Sequence, residues 1–369
     1  MSVNLLGLGT ASPARSIAQD DLATHVNRIS FRRTDSQKRL LKTLFRSTEI
    51  LSRGSVLLEP RVEGMPDDNP LKFYDEAAHA EDCGPSTRKR MERYSLEAGK
   101  LAADAARKAC ADAAIPVSKI THLVTVSCTG FYSPGIDILL IKTLDLSPEV
   151  GRLHIGFMGC HGALNGLRAA QGLAASNPNA TVLLCAVELC TLHFQYGWNR
   201  DRMVANSLFA DGAAALVIAN KDDDADRNDI WKIRSTGSFL FANSEDAMSW
   251  NIGDHGFEMT LSARVPELIG GDLAPWLTRW LGAQGLAIED VASWAIHPGG
   301  PRILTAVAET LNLSVEALAP SRHILGKHGN MSSPTVVFIL EHLRELKAPK
   351  PCVMLGFGPG LVAEAALLV

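Results

Sequence analysis

The sequence predicts an α/β protein made of two halves of similar rhythm, and three observations carry that reading. Apolar runs of strand length alternate with longer runs of helical period from one end to the other. The pattern restarts after Lys221–Asp229, a break in which five of nine residues are aspartate. Near the middle of the first half, Gly156–Gly166 reads as a strand closing on glycine, a cysteine at the corner and a small-residue helix behind it. Strands covered by helices on both faces appear as continuous apolar runs, so buried, largely parallel strands are expected. The break divides the chain into halves 1–225 and 226–369, although no residue-level repeat is visible.

At 369 residues the chain exceeds the size at which one core usually stops growing, which also favours two halves. With 46% hydrophobic and 21% charged residues and a formal net charge of −4, a general nucleic-acid or membrane-surface binder is disfavoured. No apolar run reaches the roughly 18 residues of a membrane span. Met1–Leu5 carries no basic region ahead of an apolar core, so no secretion signal is expected. The seven cysteines form no C-x-x-C pair, which argues against a disulfide framework or a zinc site. A reducing, cytoplasmic compartment follows as the expectation, and there a single thiol is usable chemistry.

The elements follow in order. Val3–Gly9 is a buried strand closed by the turn Thr10–Pro13. Arg28–Arg53 is basic with a helical apolar stripe through Leu40, Leu41, Leu44, Phe45 and Ile50. Within it, Arg46 and Arg53 are candidates to meet an anionic ligand, a solvated helix face being the plainer reading. Glu59–Ser86 reads as a long surface excursion. Met91–Ala114 is an alanine-rich helix stopped by Pro116. His122–Ser127 is a strand running into a polar loop, and Ile136–Leu144 is a helix. Leu153–Met158 then leads into the helix Gly162–Ser176. Thr181–Val187 and Ala213–Ala219 are strands. Beyond the break come a strand region Trp231–Phe241, a helix Val265–Leu281, a strand Val291–Ile296, helices Pro301–Leu311 and Ser332–Leu346, and strands Cys352–Phe357 and Val362–Leu368.

Cys160 is the candidate nucleophile. A helix start presents unpaired N–H groups and partial positive charge, both of which favour thiolate. Inert packing of a buried thiol is the competing reading. Such a nucleophile needs a base and a donor for developing oxyanion charge. His297, at the end of a strand ahead of Gly299–Gly300, and Asn330, in a loop ahead of a helix, both stand where α/β sheets place ligands. His161, His193 and His328 compete for the base. Gly356–Gly360 alternates glycines, but Pro359 removes a backbone donor and a strand follows, so it is a poor dinucleotide loop.

Taken together, Gly159-Cys160, the run His297-Pro298-Gly299-Gly300-Pro301 and the run Gly329-Asn330-Met331-Ser332-Ser333 resemble the type III polyketide synthases, the chalcone synthase-like branch of the thiolase superfamily. Leu208–Ala214, Gly356–Leu361 and the opening Gly7–Pro13 are similar to the same family, so the resemblance runs end to end. It implies a thiolase-like fold of duplicated halves in αβαβα layers, a homodimer, and CoA thioesters as substrates with no acyl carrier protein, metal or redox cofactor. It further implies that Cys160 accepts a starter acyl group, with His297 holding the thiolate in an ion pair. His297 and Asn330 then hold the malonyl-CoA carbonyl during decarboxylation and condensation.

Further roles follow from the same resemblance. Phe209 matches the gatekeeper between CoA tunnel and cavity, and Met259 falls on a second gatekeeper position. Cys128, Cys190 and His193 fall where plant members carry cavity threonines, and Trp250 where they carry a small glycine. Cys128, Glu188 and Ser332 occupy a network linked to aldol cyclisation, in which a thiol is a weaker donor than a hydroxyl. Ser133 falls on a residue that crosses the dimer into the partner's cavity. Gly299, Gly300 and Arg302 join Arg46 and Arg53 as candidate CoA contacts. These departures imply a bacterial-type member making alkylpyrones or alkylresorcinols from fatty acyl starters. An acyl-carrier-dependent β-ketoacyl synthase and a non-catalytic CoA- or acyl-binding protein are the alternatives.

Overall fold

A computed structural model describes residues 3–59, 71–221 and 231–369. Among these, nine strands form one sheet in the order Ser293–Ile296, Cys352–Gly358, Val362–Leu368, Trp231–Leu240, Val3–Ala11, Asp211–Asn220, Thr181–Leu189, His122–Ser127 and Gly151–Gly156. Each half uses one connectivity. Three strands follow from its outer side as one parallel and one antiparallel pairing, and the half's first strand closes the set antiparallel. The first half adds one further edge strand, Gly151–Gly156. The halves join where Val3–Leu5 pairs antiparallel with Trp231–Ile233.

Alternate residues along these strands feed different cores, which sets the layers. One face of the first-half strands, including Leu183, Cys185 and Val217, packs under the helix Thr87–Asp112 and its neighbours. The opposite face, including Val182, Leu184 and Leu216, meets the inner face of the second half at Met354, Ala366 and Leu368. Between them lie the helices Gly162–Ser176 and Thr335–Glu345. The outer face of the second half packs on Val265–Gly282 and Pro301–Leu311. The result is the αβαβα arrangement. A helix buried on all sides must be apolar all round, and Val336–Leu340 is an unbroken buried apolar run. The other inner helix needs small residues instead, since any side chain at Gly166 would run into Leu184 and Val126.

Several expectations need correction. Five of the eight pairings are antiparallel, so the sheet is mixed and not largely parallel. A strand covered on both faces is uniformly apolar whichever way its neighbour runs. The basic stretch is not one helix. The helix Gln19–Ile29 ends near Arg28, the capping box of Thr34 and Gln37 starts a second helix, Asp35–Arg46, and Arg53 lies on the short strand Ser52–Gly54. In the expected surface excursion, Leu71 and Tyr74 are buried in the first-half core, whereas 60–70 fall outside the described residues. The boundary at 225/226 also lies outside them. The helix Val315–His328 and the hairpin Met248–Gly253/Gly256–Leu261 are additions.

Candidate active site

The corner at Cys160 is set by backbone that only particular residues accept. After Gly156 the chain turns through Phe157 at φ 59° and Gly159 at φ 73°, then winds one tight turn, Gly159–His161, into the helix. A Cβ at Gly159 would overlap Pro359, so glycine is required both by conformation and by space. The half-buried Cys160 opens on a cavity of about 30 Å³ lined by Cys128, Cys190, Phe209, Trp250, Met259 and Ser332. That apolar enclosure pushes its thiol up to about 11, against hydrogen bonds from Ser332 and Asn330 that favour the thiolate. The helix start works in the same direction as those bonds.

His297 follows the strand Ser293–Ile296, its backbone N–H donating to Leu355 O at 2.8 Å. It is 1% exposed, and neither ring nitrogen has a hydrogen-bond partner among the described residues. Burial, with the neighbouring His161 adding to it, pulls its pKa down to about 3. Burial thus works against the ion pair implied by the resemblance, disfavouring both the thiolate at Cys160 and the imidazolium at His297. An orphaned neutral imidazole is suited instead to take a proton as substrate arrives.

Asn330 follows Gly329, whose φ of 74° ends the helix Val315–His328. The backbone around it is pinned twice, Asn330 N–H to Leu208 O at 3.0 Å and Ala210 N–H to Asn330 O at 2.9 Å. Its Oδ1 accepts from Ser332 N–H at 2.8 Å, which turns the amide NH₂ toward the Cys160 sulfur. The same pinning forms a bridge between Asn330 and Phe209. Phe209 lines the Cys160 cavity, while its neighbour Leu208 lines an outer cleft of about 550 Å³. Successive residues of the chain thus line the two cavities.

The remaining candidates sort by position. Trp250 and Met259 face each other across the hairpin, and Trp250 Nε1–H donates to Cys128 O at 2.7 Å, which fixes the indole as a wall. Behind it a cavity of about 40 Å³ shares Cys190, Phe209, Trp250 and Met259 with the first. His193 is held at both nitrogens, by Thr129 O at 2.6 Å and Phe257 N–H at 2.9 Å, and stacks on Phe257, so it is no base. His328 pairs with Ser12 Oγ at 3.2 Å on Nδ1 and packs against Phe338. Glu188, fully buried, accepts from Cys128 N–H, Thr129 Oγ1 and Ser333 Oγ at 2.9, 2.6 and 2.6 Å. Burial raises its pKa and these donors oppose the rise. Ser332 instead meets the Cys128 sulfur at 3.4 Å, so Thr129 and Ser333 are network members that the sequence did not single out.

Gly299, Gly300 and Arg302 do line the outer cleft, joined there by exposed Arg200 and Trp198. Arg46 is exposed but already paired with Asp20 at 3.0 Å. Arg53 is 2% exposed and donates to Asn206 O and Phe209 O at 2.9 and 2.7 Å, beneath Gly329. A guanidinium so placed props the Phe209–Asn330 junction and presents no face to a phosphate in solvent. Ser133 is exposed and lines a different cleft, with Tyr94, Phe131 and Arg152.

Residues 2–222 match the N-terminal domain of the chalcone and stilbene synthases, and residues 232–369 match the C-terminal domain. The chain belongs to the chalcone and stilbene synthase family. It is 32% identical over 367 residues, covering 98% of this chain and 89% of the relative, to the alpha-pyrone synthesis polyketide synthase-like Pks18 of Mycobacterium tuberculosis. The same figures hold for the Mycobacterium bovis protein of that name. Among solved structures, PKS-I of the brown alga Ectocarpus siliculosus superposes with a TM-score of 0.91 at 29% identity, covering 100% of this chain and 98% of that one. The C-terminal type III polyketide synthase domain of Steely1 from Dictyostelium gives 0.86 at 27% identity, covering 100% and 99%. This member of the family is a type III polyketide synthase with the thiolase-like fold, resembling bacterial members. No described helix is long and apolar enough to cross a membrane.

Proposed function

We propose that this synthase is an acyltransferase that loads a starter from an acyl-CoA onto Cys160 and extends it with malonyl-CoA. One arrangement supports the reading. Asn330 and Ser332 act on the Cys160 thiol as donors that favour the thiolate. His297 follows the strand paired with Cys352–Gly358, on which the Cys160 turn packs, and neither of its ring nitrogens has a partner among the described residues. In loading, the thiol attacks the acyl-CoA thioester, His297 takes the proton, and the leaving CoA sulfur receives it. The malonyl-CoA carbonyl oxygen then sits between His297 and the Asn330 amide. Loss of CO₂ leaves an enolate that these donors stabilise. The enolate attacks the thioester on Cys160 and frees the sulfur for the next round. Phe209 closes the passage against water while this happens.

The expected product is an α-pyrone, the chemistry named for the mycobacterial relatives. The cavity at Cys160 has room for only about two waters, which favours the shortest chain that closes to a lactone. Glu188 has its donors in Thr129, Ser333 and Cys128 N–H, and only a thiol faces Ser332, a poor arrangement for aldol closure to a resorcinol. CoA thioesters are the substrates, approaching past Gly299, Gly300 and Arg302, and no metal or redox cofactor is required. The halves 1–225 and 226–369 supply the nucleophile and the His–Asn pair respectively. The working unit is a cytoplasmic homodimer in which Ser133 lies toward the partner. A panel of acyl-CoA starters with malonyl-CoA, read by product mass, tests this. Lactones carrying more than one malonyl unit are expected, and products with a single unit would favour a β-ketoacyl synthase instead.

A further inference from the structure

Directly after the nucleophile comes His161, which is 3% exposed and plays no part in the reading above. Its Nδ1 lies 2.7 Å from Asn165 Oδ1, and Asn165 Nδ2 donates to Glu364 Oε1 at 3.1 Å. Glu364 is 3% exposed, ion-paired with Arg168, and accepts from Ser238 Oγ at 2.7 Å. This chain of contacts fixes where a proton sits. A carboxylate only accepts, so Asn165 must turn its NH₂ to Glu364 and its oxygen to His161. That oxygen also only accepts, so the proton is on Nδ1 of His161. The neutral ring then carries a bare lone pair at Nε2. That atom is buried and has no partner among the described residues.

The ring is placed beside the catalytic pair. The ring packs against Gly358, where any side chain would collide with it, and the next residue, Pro359, lines the Cys160 cavity. His297 lies one strand over, its N–H bonded to Leu355 O. The two imidazoles are close enough that charge on His161 disfavours charge on His297. A phenyl ring would fill this space without an orphaned nitrogen, so packing alone does not account for a histidine.

We propose that His161 is a positioning residue for the loading of Cys160, its proton locked on Nδ1 by Asn165 and Glu364 so that the Nε2 lone pair steadies the imidazolium formed at His297. The inference rests on the roles given above to Cys160 and His297. The neutral ring offers His297 the negative end of its dipole without a competing charge, and burial keeps it neutral by disfavouring protonation.

The test uses the full chain labelled with ¹⁵N-histidine, together with single-turnover loading of Cys160 from acetyl-CoA. His161 is expected to show the Nδ1–H tautomer, and His161→Phe to slow loading about tenfold with KM changed less than about twofold. Asn165→Leu keeps the ring but frees the tautomer. It is expected to slow loading in the same direction and to bring Nε2–H signal into the spectrum. An Nε2–H tautomer in the native protein, or undiminished loading in both variants, overturns the inference. His297→Gln separates the two levels. If it loads normally, the reading of the site fails. If it fails to load while both His161→Phe and Asn165→Leu load normally, only the inference on His161 fails.

Discussion

Cys160, His297 and Asn330 come from three separate turns, and each has one feature that the protein spends stability to keep. The buried His297 ring has no partner among the described residues, Asn330 has its oxygen occupied so that its NH₂ is turned away from Ser332 N–H, and Cys160 sits in an apolar pocket. Asn330→Ala removes the only amide donor assigned to the carbonyl. Starter loading should persist while malonyl-CoA decarboxylation falls about 10²- to 10³-fold; decarboxylation at the native rate would take Asn330 out of that role. The enclosure of Cys160 gives a second expectation. With the thiol pushed up to about 11, thiolate increases as pH rises toward that value. Alkylation of the free enzyme by iodoacetamide should keep accelerating from pH 8 to 10, whereas an ordinary thiol levels off above about 8.5. A rate already flat at pH 7 would mean a preformed ion pair. At this scale the sequence was informative where glycines marked the turns, as at Gly159, Gly299 and Gly329. It was silent on Arg53, because a basic residue buried under a loop and one on a helix face look alike in the chain.

The strand-to-helix corner and the Trp250 hairpin are the two elements that shape the chemistry. Gly159→Ala places a methyl group against Pro359 at a positive φ. It should cost about 2–4 kcal/mol and abolish loading, as seen by thermal melting and acylation assays; a variant with native stability and activity would show that the corner is softer than its geometry. Trp250→Gly removes the wall between the cavities of about 30 and 40 Å³. Longer starters or additional extensions should appear in the product masses, and an unchanged profile would place the growing chain elsewhere. The corner was legible because strand, glycine and helix occur in immediate succession. The hairpin was not, since buried, half-buried and exposed residues follow one another along it without a clean period of two.

For the whole molecule, the repeated connectivity explains why one site draws on both halves. The inner helices Gly162–Ser176 and Thr335–Glu345 begin close to Cys160 and Asn330 respectively, so the sandwich brings their starts to one place. Layering was readable from the alternation of elements, but strand direction was not, because strands buried on both faces carry no sign of their neighbour's direction. The sheet also leaves Gly151–Gly156 as an edge, with Leu153 and Met158 exposed at 42% and 44%. An open edge next to the nucleophile that exposes these two apolar side chains fits the proposed homodimer. Light scattering should give twice the 39.7 kDa chain mass, and Leu153→Lys should shift it toward monomer; a native monomer would contradict the proposal. The central claim is an acyl group on one sulfur. Incubation with an isotopically labelled acyl-CoA, digestion and mass spectrometry should find the label on the Cys160 peptide and nowhere in Cys160→Ala. A label on another residue, or full product formation by Cys160→Ala, would contradict it.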